Sequence, residues 1–190
     1  MSAKDKIITL PHPHLRDRSK KVAMLSDEVR KIIEDMKAAT LDWEASRPHE
    51  VGVALAAIQI DQPYRIIIIR HDFDNKDDKS FSVFINPQIV KKEGDILADY
   101  EGCLSVQDIY GKVPRYSKIR MKALDEHGRQ VRVRAEGFLA RVIQHEIDHL
   151  KGLVFVDYIK DQPEAFYKLT ADGKLTHLDY EEVQKAGIFR

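Results

Sequence analysis

One five-residue segment, His145–His149 (HEIDH), constrains the fold of this chain more than any other feature. Two His residues four positions apart lie one turn from each other on the same face of an α-helix. Both imidazoles can therefore bind one metal ion. A surface helix with two unrelated His residues is the alternative, but Val142, Ile143 and Leu150 give this segment an apolar frame. The sequence therefore predicts a buried helix that carries a metal site.

The same segment indicates hydrolytic chemistry, because Glu146 lies beside the first His and can act as a base over the metal. A catalytic metal usually takes three protein ligands, so a third must come from elsewhere. Upstream, the thiolate of Cys103 would bind Zn²⁺ or Fe²⁺ strongly, although a lone Cys can also be a small buried apolar residue. Downstream, as in zincin peptidases, the candidates are Asp157, Glu164, His177, Glu181 and Glu182.

Length and composition favour one globular domain in a reducing compartment. The chain has 190 residues, within the usual range of about 100–200 for one domain. Its 31 Lys and Arg balance 31 Asp and Glu, which argues against direct nucleic-acid binding through general positive charge. The single Cys excludes an internal disulfide. No signal peptide, transit peptide or membrane span is visible, so we expect a cytoplasmic protein without membrane association.

Two helices are predicted from apolar periodicity. The first follows the N-cap Ser26 and ends before Pro48, and the second covers residues 138–151 with Gly152 at its C-terminal cap. Prolines in residues 7–16 predict extended chain. Strands are predicted over residues 65–70, 81–85 and 88–90, the last two separated by Pro87, and over a hairpin of residues 118–124 and 130–134.

These elements together predict an α+β fold, with antiparallel strands packed around a central metal-binding helix in a single domain. Residues 52–59 (GVALAAIQ) stand apart, because small residues mark a close approach of another chain or ligand to the backbone. The start of an Ala-rich helix is the other interpretation of that segment. No structure is predicted for most of residues 163–190.

In chain order, residues 52–59, 101–105 (EGCLS) and 145–149 resemble three motifs of the peptide deformylase family. The resemblance extends from residue 7 to about residue 158, so residues 1–190 are interpreted as one such domain with a C-terminal extension over 163–190.

Three positions depart from the family pattern. Ala54 replaces the second Gly of the first motif, Gln107 stands where many relatives have Pro, and Tyr110 lies near the place of a substrate-holding Arg. These departures concern contacts with the peptide substrate and leave the metal chemistry unchanged.

The resemblance implies a metal-dependent hydrolase that removes the N-formyl group from the N-terminal formylmethionine of nascent polypeptides and releases formate. It implies that Cys103, His145 and His149 bind one divalent metal ion. Fe²⁺ is the expected native metal, and Zn²⁺ or Ni²⁺ can replace it. The nascent formylmethionyl peptide is then the main partner, and the ribosome is a second one.

The resemblance also assigns catalytic roles. Glu146 would accept a proton from the attacking water and pass it to the leaving amine. The side-chain amide of Gln59 and the backbone N–H of Leu104 would stabilise negative charge on the formyl oxygen. Glu101 and Asp148 are expected to orient the His residues and the backbone, with Arg115 as a partner of one of them. Ordinary surface charges are the alternative for these last three.

Substrate contacts are expected along the first motif and the metal helix. The peptide would lie as an added strand against Gly52, Val53 and Ala54, while Phe138 and Val142 would line the slot for the Met side chain. Residues 161–190 contain six acidic and four basic residues, a charge of −2. This tail is therefore not expected to bind ribosomal RNA through charge.

Two other functions are compatible with part of these residues. A zincin-type peptidase would need a downstream metal ligand and would give Cys103 no role. A non-catalytic metal-binding member of the family would be expected to lack Glu146 or Gln59, and the sequence contains both.

Overall fold

One seven-stranded antiparallel sheet organises residues 2–189, which are the residues that this computed structural model describes. Its order is β1-β2-β3-β4-β6-β7, and β5 pairs with the C-terminal half of β4. The sheet and the helices confirm the predicted α+β class. The strands are β1 (Ala54–Ala56), β2 (Ile66–Arg70), β3 (Phe81–Cys103), β4 (Val106–Leu124), β5 (Gln130–Glu136), β6 (Phe166–Leu169) and β7 (Leu175–His177).

Three α-helices complete the fold: α1 (Asp27–Ala45), α2 (Gly137–His149) and α3 (Tyr180–Lys185). The hydroxyl of Ser26 accepts a hydrogen bond from a backbone N–H in the first turn of α1, which confirms the predicted N-cap. Helix α2 follows β5 directly and packs on strands β1 to β5. No helix among residues 2–189 is both long enough and apolar enough to cross a membrane.

Strand β2 explains how two helices share one sheet. Ile66 and Ile68 pack in the core beneath α1, while Ile67 and Ile69 pack in the core beneath α2. Because successive side chains of a strand point to opposite faces, a strand buried on both faces has a continuous apolar run. This run therefore places α2 in the interior, where its residues 140–149 are all buried.

Two local predictions are wrong. Pro87 does not separate two strands, because β3 runs through it with a register shift between Ile85 and Gln88 and a positive φ at Asn86. Such a bulge tolerates Pro inside a sheet. The segment 7–16 is also not all extended, since Pro13–Arg16 forms a 3₁₀ turn that starts at a Pro whose fixed φ suits a first helical position.

The C-terminal residues, for which the sequence predicts little structure, belong to the core. Strand β6 pairs with β4, with Tyr167 opposite Tyr110. Phe166, Val183 and Ile188 are buried in a third apolar cluster that includes residues of β4. Arg190, which contributes to the predicted tail charge, lies outside the described residues. The described part of the tail therefore supports β4, the strand that begins just after Cys103.

We expect Phe166→Ala to lower the free energy of unfolding by about 3–5 kcal/mol, the usual cost of deleting a fully buried aromatic ring. Lys168→Ala, at an exposed position of the same strand, is the matched control and should change it by less than about 0.5 kcal/mol. Urea unfolding followed by circular dichroism measures both. A Phe166→Ala effect no larger than the control would show that the tail does not stabilise the fold.

Candidate metal centre

Three potential metal ligands from two elements meet in the interior. His145 and His149 lie on successive turns of α2, and Cys103 ends β3. The two His Nε2 atoms are 3.2 Å apart, and Cys103 Sγ lies 3.2 Å from His149 Nε2. Within residues 2–189, this trio is the one cluster of three or more His, Cys, Asp or Glu donors close enough to share an ion.

This donor set fits a divalent metal ion. Ligands bound at about 2.0–2.3 Å in tetrahedral geometry lie roughly 3.3–3.6 Å from one another, close to the 3.2 Å separations observed. Burial lowers the pKa of His149 well below its usual value, which favours the neutral imidazole that binds metal. Burial would also lower the pKa of His145, but hydrogen bonds to Cys103 and Glu101 raise it well above its usual value, so metal binding would release a proton from this ring. One thiolate and two imidazoles suit both Zn²⁺ and Fe²⁺.

Glu101 holds the first imidazole in a metal-binding orientation. Its Oε2 accepts a hydrogen bond of 2.9 Å from His145 Nδ1, which leaves the Nε2 lone pair for a metal. Burial alone would raise the pKa of Glu101, but hydrogen bonds from His145 and Arg115 lower it to about 2. The group is therefore a carboxylate at neutral pH, and it strengthens the imidazole as a ligand.

Arg115 links both predicted supporting carboxylates. Its Nε and Nη2 donate to Glu101 at 2.9 and 3.1 Å, and its Nη1 donates to Asp148. The predicted pairing of Arg115 is thus confirmed, and it involves both acids. Asp148 also accepts hydrogen bonds from Tyr158 and Lys151, but none from a His. It therefore supports the metal site through Arg115, and the expectation that it orients a His is wrong.

Sequence reasoning missed Arg141, a buried cation of α2. Its Nη1 donates to Glu101 Oε1 at 2.8 Å and to the carbonyl of Val113 at 2.6 Å. A position four residues before His145 lies on the same helix face, and this spacing is the signal that could have indicated it. Two guanidinium groups thus stabilise one buried carboxylate.

Glu146 is a buried carboxylate that makes no hydrogen bond within the described residues. Its side chain lines the cavity beside the metal ligands, and its Oε2 is buried without a partner. Burial raises its pKa to about 7. A carboxyl group with a pKa near neutrality is suited both to accept and to return a proton.

Gln59 presents its amide nitrogen to the same cavity. Its Oε1 accepts a hydrogen bond of 2.8 Å from the backbone N–H of Ala56, so Nε2 faces Ser105 at 3.1 Å and Cys103 Sγ at 3.5 Å. Gln59 belongs to a 3₁₀ turn, Ala57–Ile60, that follows β1. The interpretation of residues 52–59 as the start of an Ala-rich helix is therefore wrong.

The cavity over these groups has a volume of about 320 Å³. Val53 and Ala54 line one side, and Phe138 and Val142 of α2 line another, with Leu104 in the turn after Cys103. Strand β1 is an edge strand of the sheet, because its one partner strand within the described residues is β2. Its other edge is therefore available to pair with an extended peptide.

Gly52 lies outside the lining of this cavity. A Cβ atom there would come within 2.6 Å of Thr40 Cγ2 and 2.9 Å of the Thr40 carbonyl oxygen. The small residue is thus required where the chain passes α1, and its N–H donates to Glu44.

The downstream ligands of a zincin-type site do not approach the two His residues. Asp157, for example, accepts hydrogen bonds from Arg16 and from the backbone N–H of Val154. None of the downstream candidates belongs to the donor cluster found among residues 2–189. The third donor is the upstream Cys103, which rules against the zincin alternative.

Comparison with known proteins agrees with this geometry. The model of a family described as polypeptide deformylase matches residues 4–165. The chain belongs to this family. It is accordingly a metal-dependent hydrolase with peptide deformylase activity, and the family membership accounts for the Cys103, His145 and His149 cluster.

Relatives resemble the chain over most of its length. A peptide deformylase of Thermomicrobium roseum is 41% identical over 164 residues, covering 85% of this chain and 89% of that protein. The peptide deformylase of Synechococcus elongatus, solved in complex with actinonin, has a TM-score of 0.71 and 35% identity, covering 80% and 76% of the two chains. The enzyme of Plasmodium falciparum has a TM-score of 0.75 and 28% identity, covering 95% and 91%.

This deformylase has a charged rim at the mouth of its cavity that sequence reasoning did not find. The hydroxyl of Tyr110 donates to Glu50 at 2.6 Å, and Arg47 donates to both Glu50 and Asp108. All four residues line the cavity. The departure from the family pattern at Tyr110 is a sequence signal for this rim, because the Tyr110 hydroxyl bonds to Glu50. The Tyr110 ring packs against Gly102, where a Cβ atom would come within 2.5 Å of it.

Proposed function

We propose that this deformylase removes the N-formyl group from the N-terminal methionine of nascent polypeptides and releases formate. The observation that carries the proposal is the buried, unpartnered carboxylate of Glu146 beside the three metal donors. Cys103, His145 and His149 would hold the ion, and Fe²⁺ is proposed as the native metal with Zn²⁺ or Ni²⁺ as replacements. When bound, such a metal lowers the pKa of water and supplies a nucleophile near neutral pH.

The chain's own residues then carry the proton and the developing charge. Glu146 accepts a proton from the attacking water as the new C–O bond forms. It returns this proton to the amine nitrogen as the C–N bond of the formamide breaks. Gln59 Nε2 and the backbone N–H of Leu104 donate to the formyl oxygen, where negative charge develops. The products are formate and a free amino terminus.

Substrate selection is proposed to combine strand pairing with a tight reaction site. The peptide backbone pairs with Val53 and with Ala54 at the start of β1, and the Met side chain packs against Phe138 and Val142. A site that accepts the hydrogen of a formyl group excludes the methyl group of an acetyl group by steric clash. For Gly52 we propose a packing role against α1 in place of a substrate contact.

A nascent substrate also suggests where the enzyme acts. We infer a cytoplasmic location and the ribosome as a partner, because formylated chains emerge there. The acidic excess of residues 161–190 makes contact through positive charge in the tail unfavourable.

Formate release from a formyl-Met tripeptide, measured on protein loaded anaerobically with Fe²⁺, tests the proposed function. The matched control substrate is the same tripeptide with an acetyl group. We expect formate from the first and no deacylation of the second. Equal hydrolysis of both, or no formate from the first by metal-loaded protein, contradicts the proposal.

Ala54→Gly is expected to lower KM for the formyl-Met tripeptide by about two- to fivefold with little change in kcat, the signature of uniform binding. The proposed physical reason is that Ala54, an almost fully buried residue that lines the cavity, adds a methyl group where a paired peptide backbone would approach β1. Steady-state kinetics with metal analysis of the same sample measure this. An unchanged KM would mean that the backbone already accommodates the methyl group.

A further inference from the structure

A second cavity, of about 810 Å³, lies where β4 and β5 meet the C-terminal end of α2. It shares no lining residue with the cavity at the metal centre, and no Asp or Glu lines it. Its volume falls within the range of about 300–1,000 Å³ that is typical of ligand sites. Six cationic residues line it: Arg18, Lys21, Arg65, Lys122, Arg132 and Lys151.

Most of these cations lack an acidic partner. Lys151 pairs with Asp148, but the other five have no carboxylate within 4.0 Å among residues 2–189. Lys122 and Arg132 lie directly opposite each other on β4 and β5. Like charges in directly opposed cross-strand positions are destabilising. An anion between these two side chains would remove that repulsion.

Ser19 provides an independent sign of a ligand. It lines the cavity, only 9% of its surface is exposed, and its hydroxyl is buried with no hydrogen-bond partner. Its backbone N–H donates to the carbonyl of Leu150 at 3.1 Å, which holds the residue in place. An unpaired buried hydroxyl costs free energy, and a rotation of the Ser19 side chain toward the cavity would let an anionic oxygen there accept its hydrogen bond.

The shape of the cationic lining indicates more than one anionic group. Arg65 Nη2 is fixed by a hydrogen bond of 2.8 Å to the carbonyl of Pro87, on the β3 side of the cavity. Lys122 and Arg132 lie on the β4 and β5 side. Arg and Lys side chains distributed over several walls match oxygens of successive phosphate groups better than a single small ion.

We propose that this cavity binds an anion with several closely spaced phosphate groups. A free polyphosphate and a stretch of RNA backbone share this chemistry, and the experiment below distinguishes them. The balanced charge of the whole chain predicts no general affinity for nucleic acid. A local cluster of cations without acidic neighbours can still attract an anion although the net charge of the chain is zero. Charges farther away than about 8–10 Å are screened at ordinary salt and do not cancel this attraction.

Titration calorimetry with tripolyphosphate and fluorescence anisotropy with a labelled RNA hairpin, both on the metal-loaded full chain, test the proposal. For whichever of the two probes binds, we expect K122Q/R132Q to raise the dissociation constant by about tenfold or more. We also expect the dissociation constant of this variant to depend less steeply on salt concentration. Ser19→Ala, a milder second variant, should weaken binding about threefold or more. K79Q/K168Q removes two exposed, unpaired cations outside this cavity and should change the dissociation constant less than about twofold.

Thermal unfolding and formate release check that each variant is folded. Formate release should match that of the unmodified protein because the two cavities share no lining residue. The unfolding temperature without ligand should not fall, because K122Q/R132Q removes a cross-strand repulsion and Ser19→Ala removes an unpaired buried hydroxyl. Tight binding of tripolyphosphate that excludes RNA assigns the site to a free polyphosphate. Tight RNA binding that tripolyphosphate displaces only weakly assigns it to RNA backbone. The proposal is overturned if neither probe binds at low salt. It is also overturned if K122Q/R132Q and Ser19→Ala bind like the control.

Discussion

Glu146→Gln is expected to lower kcat for formate release by about 10²–10⁴-fold while the metal stays bound. The amide keeps the shape of the side chain but cannot accept a proton from water. Metal affinity should persist because the three donors are Cys103, His145 and His149, and the Glu146 carboxylate is not one of them. Steady-state kinetics and elemental analysis of the same preparation measure both quantities.

Glu164→Gln is the matched control for this experiment, because Glu164 is exposed and lines neither cavity. It should leave kcat and metal content unchanged. Loss of metal together with activity in Glu146→Gln would make Glu146 a ligand. Full activity would remove its role in proton transfer.

Cys103→Ser should weaken metal binding by more than about 100-fold, since even the loss of a supporting residue costs about 10–100-fold. A hydroxyl stays protonated at neutral pH and is a much poorer ligand than a thiolate. Activity should fall in parallel and recover in part at high metal concentration. Competition with a coloured chelator measures the affinity.

His177→Ala tests the zincin alternative, in which the third metal ligand lies downstream of His149. His177 is one of the candidates for that ligand. It is exposed on β7 and lies outside the metal cluster, so we expect unchanged metal affinity. Full metal binding in Cys103→Ser, with loss in His177→Ala, would restore the zincin alternative.

The parts of the fold that could be predicted depend on local signals. Ser26 caps α1 through its own hydroxyl, and Gly152 adopts a positive φ shortly after α2, as predicted for a C-terminal cap. The metal trio could be predicted for a different reason, since the motifs that contain it are short and specific. Each of these signals lies within a few residues of the feature that it predicts.

Features that depend on contacts distant in sequence could not be predicted. The tail forms strands because Tyr167 pairs with Tyr110, and nothing within residues 163–190 indicates that partner. The spacing from His145 marks the position of Arg141, but nothing near it in sequence indicates that its partner is Glu101 of β3. The cationic cavity likewise depends on the approach of Arg18 and Lys151 to β4 and β5. Register and partner choice across a sheet set these features, and local patterns do not encode them.

Metal titration of the metal-stripped protein tests the central claim most directly. The donors Cys103, His145 and His149 form one cluster, so formate release under anaerobic conditions should be absent without metal. It should then rise linearly with added Fe²⁺ and level off at one ion per chain. Formate release by the metal-free protein, or a plateau that needs a second ion per chain, would contradict the account.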